Sequence, residues 1–311
     1  MSMIVLKGQR MSDIVALAKG LIGPTDLANG GELTAQGAEK LISMLFEDKF
    51  LAKITTERMK RLTKDVDVVD MQRRRLVRVP EGDEASNGDL TSASEHGAKL
   101  IALEAQLFAF VKKSFLRENA DNPQLLKLVE KMFQTLLGND LVELGFVGVS
   151  DDGVGADRDA KFLRLNKGWL QIARDADAAQ KLNIDPATDN WVPTLSAIVD
   201  AADARWKGDS VLLMNPKDAD AYSREINAPV TGHETATMAP ANSFEGKPIE
   251  RHASMPEGSV LFTPLKNLVF GAHTDVQRSR EYKNAKRGIE YVFDMSFDYE
   301  IAVKQAVVLG E

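Results

Sequence analysis

Cysteine is missing from all 311 residues of this sequence. Its absence removes disulfides, thiolate metal sites and cysteine nucleophiles together. Histidine is nearly as scarce. The four present are His96, His233, His252 and His273, and none has a second histidine or a carboxylate at metal-ligand spacing. They read as polar surface residues, and no metal site is expected. Long apolar runs are lacking too, with nothing near the roughly 20 residues needed to cross a bilayer. The apolar stretch in MSMIVLKGQRMSD is far too short for a signal-peptide core, so export is not expected. Gly148, Gly153 and Gly155 do not have G-x-G-x-x-G spacing and no Gly-Lys-Ser/Thr follows them, so they read as a turn. No G-x-S-x-G nucleophile elbow occurs. The sequence therefore nominates no catalytic residue, no cofactor-binding residue and no metal ligand, and an enzyme is not the expected reading.

What is present is the profile of a globular chain, with 44% hydrophobic and 27% charged residues. The length suits two lobes, or one domain with long excursions. The net charge of −7 argues against nucleic acid as the main ligand, yet is compatible with a wall that surrounds DNA without sticking to it. Carboxylate pairs such as Asp151-Asp152 fall in polar loops and read as solvated. The cluster Arg73-Arg74-Arg75 with Arg78 suits carboxylates on a partner better than a phosphate.

Along the chain, residues 1–33 read as an extended arm with one short helical stretch, in which Ile14, Ala18, Leu21 and Ile22 share a face. Thr34 then caps a helix with Ala38, Leu41, Ile42, Leu45 and Phe46 at helical spacing. Val66 and Val68, then Leu76, Val77 and Val79, suggest strands. The polar segment EGDEASNGDLTSASEH follows, and an apolar pattern returns at Leu100, Ala102, Phe108 and Phe110. Two strand regions around a polar tip imply a long projecting hairpin. The clearest helix starts at Asn122-Pro123 and is expected to end at Gly145. Its stripes are Leu125, Val129, Met132, Leu136 and Leu126, Phe133, Leu137, Leu141. A further helix is expected over 162–182, and another through Leu195, Ile198, Val199, Ala202 and Trp206. Val211–Met214 reads as a strand, with Asn215-Pro216 capping a helix after it. Residues 227–258 read as loop-rich, with strands at Ser259–Phe262 and Asn267–Phe270 beyond them. From Ile289 to Val303 apolar and polar residues alternate as one long strand with an aromatic face and an acidic face.

This order of elements resembles the Hong Kong-97 capsid fold of tailed-bacteriophage major capsid proteins. LTAQGAEKLISMLFEDKFLAKIT (Leu33–Thr55) is similar to the helix leading from arm to E-loop, and LVELGFVGVSDDG to the spine-to-loop junction. WKGDSVLLMNPKDADAY resembles the strand-turn-helix opening the second half of the axial domain, and the segment from PEGSVLFTPL to AVVL the C-terminal region. The resemblance covers the chain from about residue 33 and rests on order and spacing.

It implies an α+β fold divided into an N-terminal arm and helix (1–55), an E-loop hairpin and its base (56–118), a peripheral domain with a long spine helix (119–193), an axial domain (194–275) and a return to the peripheral sheet (276–311). It further implies a homo-oligomer of pentamers and hexamers in a shell that encloses double-stranded DNA without sequence-specific binding. Scaffolding, portal and decoration proteins would be separate partners, and the virion, assembled in the bacterial cytoplasm, the location. Scaffolding is expected from another protein, or not at all, since only about thirty residues precede the arm helix. The tip 81–96 contains no lysine, so the lysine–asparagine cross-link of some relatives is not expected. An encapsulin-type nanocompartment shell is the alternative on the same fold, and an α/β enzyme the alternative of another class.

Overall fold

The computed structural model describes residues 50–71, 93–118, 125–150, 158–184, 190–227, 242–274 and 276–311. In chain order, β1 (Thr55–Met59) leads to β2 (Thr63–Met71), and β3 (Ala93–Ile101) passes through Ala102 into β4 (Leu103–Lys112). Helices α1 (Lys113–Glu118), α2 (Leu125–Val147), α3 (Arg158–Leu163) and α4 (Trp169–Asp175) follow, then β5 (Gln180–Leu182). Next come α5 (Trp191–Ala201), β6 (Ser210–Met214) and α6 (Pro216–Ile226). The remaining strands are β7 (Ser243–Phe244), β8 (Lys247–Arg251), β9 (Val260–Pro264), β10 (Leu268–His273), β11 (Gln277–Lys283), β12 (Gly288–Ile301) and β13 (Val308–Gly310).

The alternating segment after Gly288 is the organising strand of the first sheet. β12 pairs antiparallel with β4 along 288–297, and with β11 and then β10 in succession on its other edge. β1 extends that sheet, parallel to β10. Every odd residue of β12 from Ile289 to Ile301 is buried, as the period-two pleat demands when one face is covered. The cover is α2 and α4, whose Leu137, Leu141, Leu144, Phe146, Trp169 and Leu170 join the same core as Tyr291, Phe293 and Tyr299.

Trp169 is the centre of that core. It is fully buried, donates its indole N–H to the Val269 carbonyl at 3.1 Å, and meets Tyr299 edge-on with centroids 5.1 Å apart. The Tyr299 hydroxyl in turn donates to the Leu141 carbonyl of α2 at 2.5 Å. Burial holds that hydroxyl's pKa well above its ordinary value. Gly145 makes the contact possible, because a Cβ there would sit 2.5 Å from the Trp169 ring. It lies inside α2, which runs on to Val147, so it is a packing glycine and not the helix terminator expected from its place in sequence.

The second sheet has strand order β5-β13-β9-β6-β8-β7. One face carries Leu212, Met214, Val260, Phe262 and Val308 against α5 and α6 in a separate core, while Leu213, Leu261 and Leu309 on the other face join the first core. Asn215 caps α6, accepting the Lys217 N–H at 2.9 Å, with Pro216 in the first turn, as the sequence implies. The chain also passes directly from one sheet to the other after β9 and after β12, and buried Asn267 clips both of these passages. Its Nδ2 donates to Thr263 Oγ1 (3.0 Å) and the Val303 carbonyl (2.9 Å), and its Oδ1 accepts the Val303 N–H at 2.7 Å. Buried bonds of this kind cost about 1–3 kcal/mol when one partner is left unsatisfied.

Several local expectations change. The single helix expected over 162–182 is two helices and a strand, broken around Asn166 and Gly168, where a Cβ on residue 168 would collide with the Leu144 and Gly145 carbonyls. α5 stops at Ala201, so Trp206 lies in a following turn. The region read as loop-rich contains β8, held parallel to β6. The arm and first helix (1–49), the arginine cluster with residues 81–92 of the expected tip, and Asn122-Pro123 lie outside the described residues, whereas residues 93–96 of that tip belong to β3.

Candidate functional site

Among the described residues β2 and β3 pair only with each other, from Thr63 opposite Ile101 to Met71 opposite Ala93, and form a two-stranded ribbon. A lone ribbon is marginal by itself, so its base needs support. Leu100 and Met59, both fully buried, pack with Ala102 and Val269 on the outer face of the first sheet, with Val66 beside them. Gly271 leaves room for this seat, since a Cβ there would come within 2.8 Å of both the Leu100 and Met59 side chains.

Hydrogen bonds fix the bend. The Ala102 N–H donates to the Leu62 carbonyl at 2.8 Å. The Ile101 N–H would be the next partner of β12 after Leu103, but it donates instead to Asp298 Oδ2 at 2.7 Å. Asn166, almost wholly buried, donates from Nδ2 to the Phe297 carbonyl (2.9 Å) and to Asp298 Oδ1 (3.3 Å). Burial raises the pKa of Asp298 above the ordinary carboxylate value, and the hydrogen bonds oppose the shift without cancelling it. Glu300, on the same face, is raised by burial as well. Glu57 of β1 binds Lys64 of β2 across the base.

Beyond the bend, β4 has two interleaved apolar sets. Ala105, Leu107, Ala109 and Val111 face the core, whereas Phe108 and Phe110 point outward. The pattern read from Leu100 through Phe110 thus follows the buried face only as far as Ala102. Phe108 is 64% exposed and stands opposite Val292 of β12, with Phe110 opposite Glu290 beside it. On α2, Phe133, Leu137 and Leu141 turn inward, but Met132 (61% exposed) and Leu136 do not. The first layer therefore leaves large apolar side chains in solvent on both of its sides.

Among the described residues no group of three or more His, Cys, Asp or Glu is placed to hold a metal, and no helix is long and apolar enough to cross a membrane. His252 is not the surface residue expected. Its ring packs 4.9 Å from both Phe50 and Phe146, and its Nδ1 accepts the Ser254 N–H at 3.2 Å. His273 ends β10, His96 lies in β3, and His233 is outside the described residues. Sequence reasoning did not single out Asp298, Asn166, Gly271 or Asn267. The only signal was that Asp298 belongs to the acidic face of the long strand.

No family model and no curated protein matches the sequence. Solved structures do match. A chain from the satellite phage P4 procapsid, in a structure that includes the size determination (Sid) protein, superposes with TM-score 0.73 at 16% identity, over 97% of this chain and 98% of that one. A chain from the capsid of an empty GTA particle gives 0.56 at 16% identity, covering 83% and 87%. A chain of the holo-SrpI encapsulin complex from Synechococcus elongatus gives 0.52 at 10% identity, covering 84% of each. The chain has the fold of phage capsid proteins, an α+β architecture that an encapsulin also shares.

Proposed function

We propose that this chain is the major capsid protein of a tailed bacteriophage, building the icosahedral shell around a double-stranded DNA genome. The observation that carries the reading is the overlap with the P4 procapsid chain across nearly the whole of both chains. The exposed Phe108, Phe110, Met132 and Leu136 support it, because burying one such side chain contributes about 1.5–3 kcal/mol at a contact. In this reading the ribbon, the E-loop of the resemblance, reaches a neighbouring subunit. Head-to-tail contacts close into pentamers and hexamers, and many modest interfaces add up to a closed shell. No chemical step is required of any residue. Scaffolding, portal and decoration proteins would be separate partners, and the virion the final location.

The encapsulin neighbour supports a second reading on the same fold, a nanocompartment shell with protein cargo. Negative-stain microscopy of purified protein tests the shared claim, which expects shells, tubes or five- and six-membered rings. A monomer that persists at every salt and pH, even with scaffold supplied, overturns it. Particles isolated from infected or expressing cells separate the two readings by content, packaged DNA for the phage head and enclosed protein for the compartment.

A further inference from the structure

At residues 298–301 the edge of β12 facing β4 has lost its partner strand, since β4 pairs no further than Leu103 opposite Phe297. Two side chains take over. Asn166 covers the Phe297 carbonyl, and the Asp298 carboxylate receives the Ile101 N–H that the bend has withdrawn from the ladder. Only Ala102 separates β3 from β4, so whatever holds Ile101 decides the direction in which the ribbon leaves the sheet.

We propose that Asp298 is a positioning residue, a latch that sets the angle of the β2–β3 ribbon by holding the Ile101 amide, with Asn166 bracing it. The inference rests on the shell reading for its purpose, but the latch itself belongs to the single subunit. In the seated state Asp298 is half-buried, and the charged groups on the elements around it are these. Glu300 stands on the same face of β12, 3.9 Å from Lys304. Glu57 of β1 is held by Lys64, and His273 closes β10. Lys99 lies exposed on β3, while Arg164 and Lys167 flank Asn166, Lys167 bonded to Asp175 at 2.7 Å. Burial is the largest influence on the carboxyl and raises its proton affinity; the bonds from Ile101, Tyr299 and Asn166 act the other way.

The sign of the pH effect follows from linkage. A ribbon base that lifts away returns Asp298 to water and to its ordinary pKa, so the lifted state binds fewer protons than the seated one. Acidification through the raised pKa therefore favours the seated ribbon, and a rise in pH loosens it. The corner is also short of donors, since Asn166 Oδ1 accepts nothing among the described residues. A proton on the neighbouring carboxyl adds one.

Amide hydrogen exchange on the full-length, unassembled chain tests this, with intrinsic rates corrected for pH. The protection of Ile101 should fall as pH rises from the ordinary carboxylate range, about 4, through the raised pKa of Asp298. Asp298→Asn keeps an acceptor without the titrating charge and should flatten that profile, while Glu300→Gln should leave it in place. The absence of cysteine permits a second readout. Spin labels at Lys99→Cys and Lys131→Cys should report one ribbon-to-helix distance in the parent and a broadened distribution with Asp298→Ala. An Ile101 profile unchanged by Asp298→Asn, or a distance distribution unmoved by Asp298→Ala in a folded protein, overturns the latch. Failure to form shells with the latch behaviour intact would count against the shell reading alone.

Discussion

Gly145 and Phe108 show how much rides on single side chains and their absence. Gly145 is a glycine because the Trp169 ring occupies the place of its Cβ, and Trp169 is fully buried against Tyr299, Phe146 and the Val269 carbonyl. Gly145→Ala should destabilise the subunit by about 1–3 kcal/mol, the usual cost of overpacking a filled core, measured by chemical denaturation. An unchanged midpoint would mean the ring can shift. Phe108 is the opposite case, a large apolar side chain left mostly in water. Phe108→Gln should change subunit stability by less than about 0.5 kcal/mol and still reduce assembly yield. Loss of stability without an assembly defect would place Phe108 in the subunit's own core.

At the level of elements, the long β12 and α2 were legible because their apolar residues repeat at period 2 and 3.6 over many residues. The cap at Asn215-Pro216 was legible for a local reason, a side chain satisfying a free helix N–H. β11, with sequence QRSREYK, has no such pattern and exists because β12 offers it seven ladder positions. β1, β8 and β13 are shorter still and are fixed by partners distant in sequence. In β4 both faces carry apolar residues, so sequence alone had no means of telling the core set from the contact set. The bend at Ala102 is where that distinction arises, and Asp298 gained its role only through it. Among the described residues the ribbon pairs with no other strand. Deleting residues 83–94 removes a polar, glycine-containing segment and should leave circular dichroism and denaturation unchanged while weakening shell assembly. A global loss of folding would show that the segment belongs to the body of the subunit.

At the scale of the whole molecule, Asn267 clips the direct passages between the sheets after β9 and after β12, and the two layers share Leu213, Leu261 and Leu309. In the proposed shell, the ribbon, the outer face of β4 and the outer stripe of α2 are the surfaces that would meet other copies. Without cysteine no disulfide can tie those copies together, and the tip 81–96 has no lysine for a cross-link. Within that segment Glu81, Asp83, Glu84 and Asp89 would suit arginines such as Arg73–Arg75 on a neighbour in the proposed shell, pairs worth about 0–1 kcal/mol each and screened by salt. Assembled particles boiled in detergent should therefore run as single chains near 34.2 kDa, and intact particles should loosen as salt rises. A ladder of covalent oligomers would refute the non-covalent account. The central claim, that one chain closes a shell through many such contacts, is tested most directly by a cryo-electron-microscopy reconstruction of the assembled protein. The account predicts an icosahedral particle with fivefold vertices in which a neighbouring copy covers Phe108 and Phe110; homogeneous monomers, or particles that leave both rings in solvent, would contradict it.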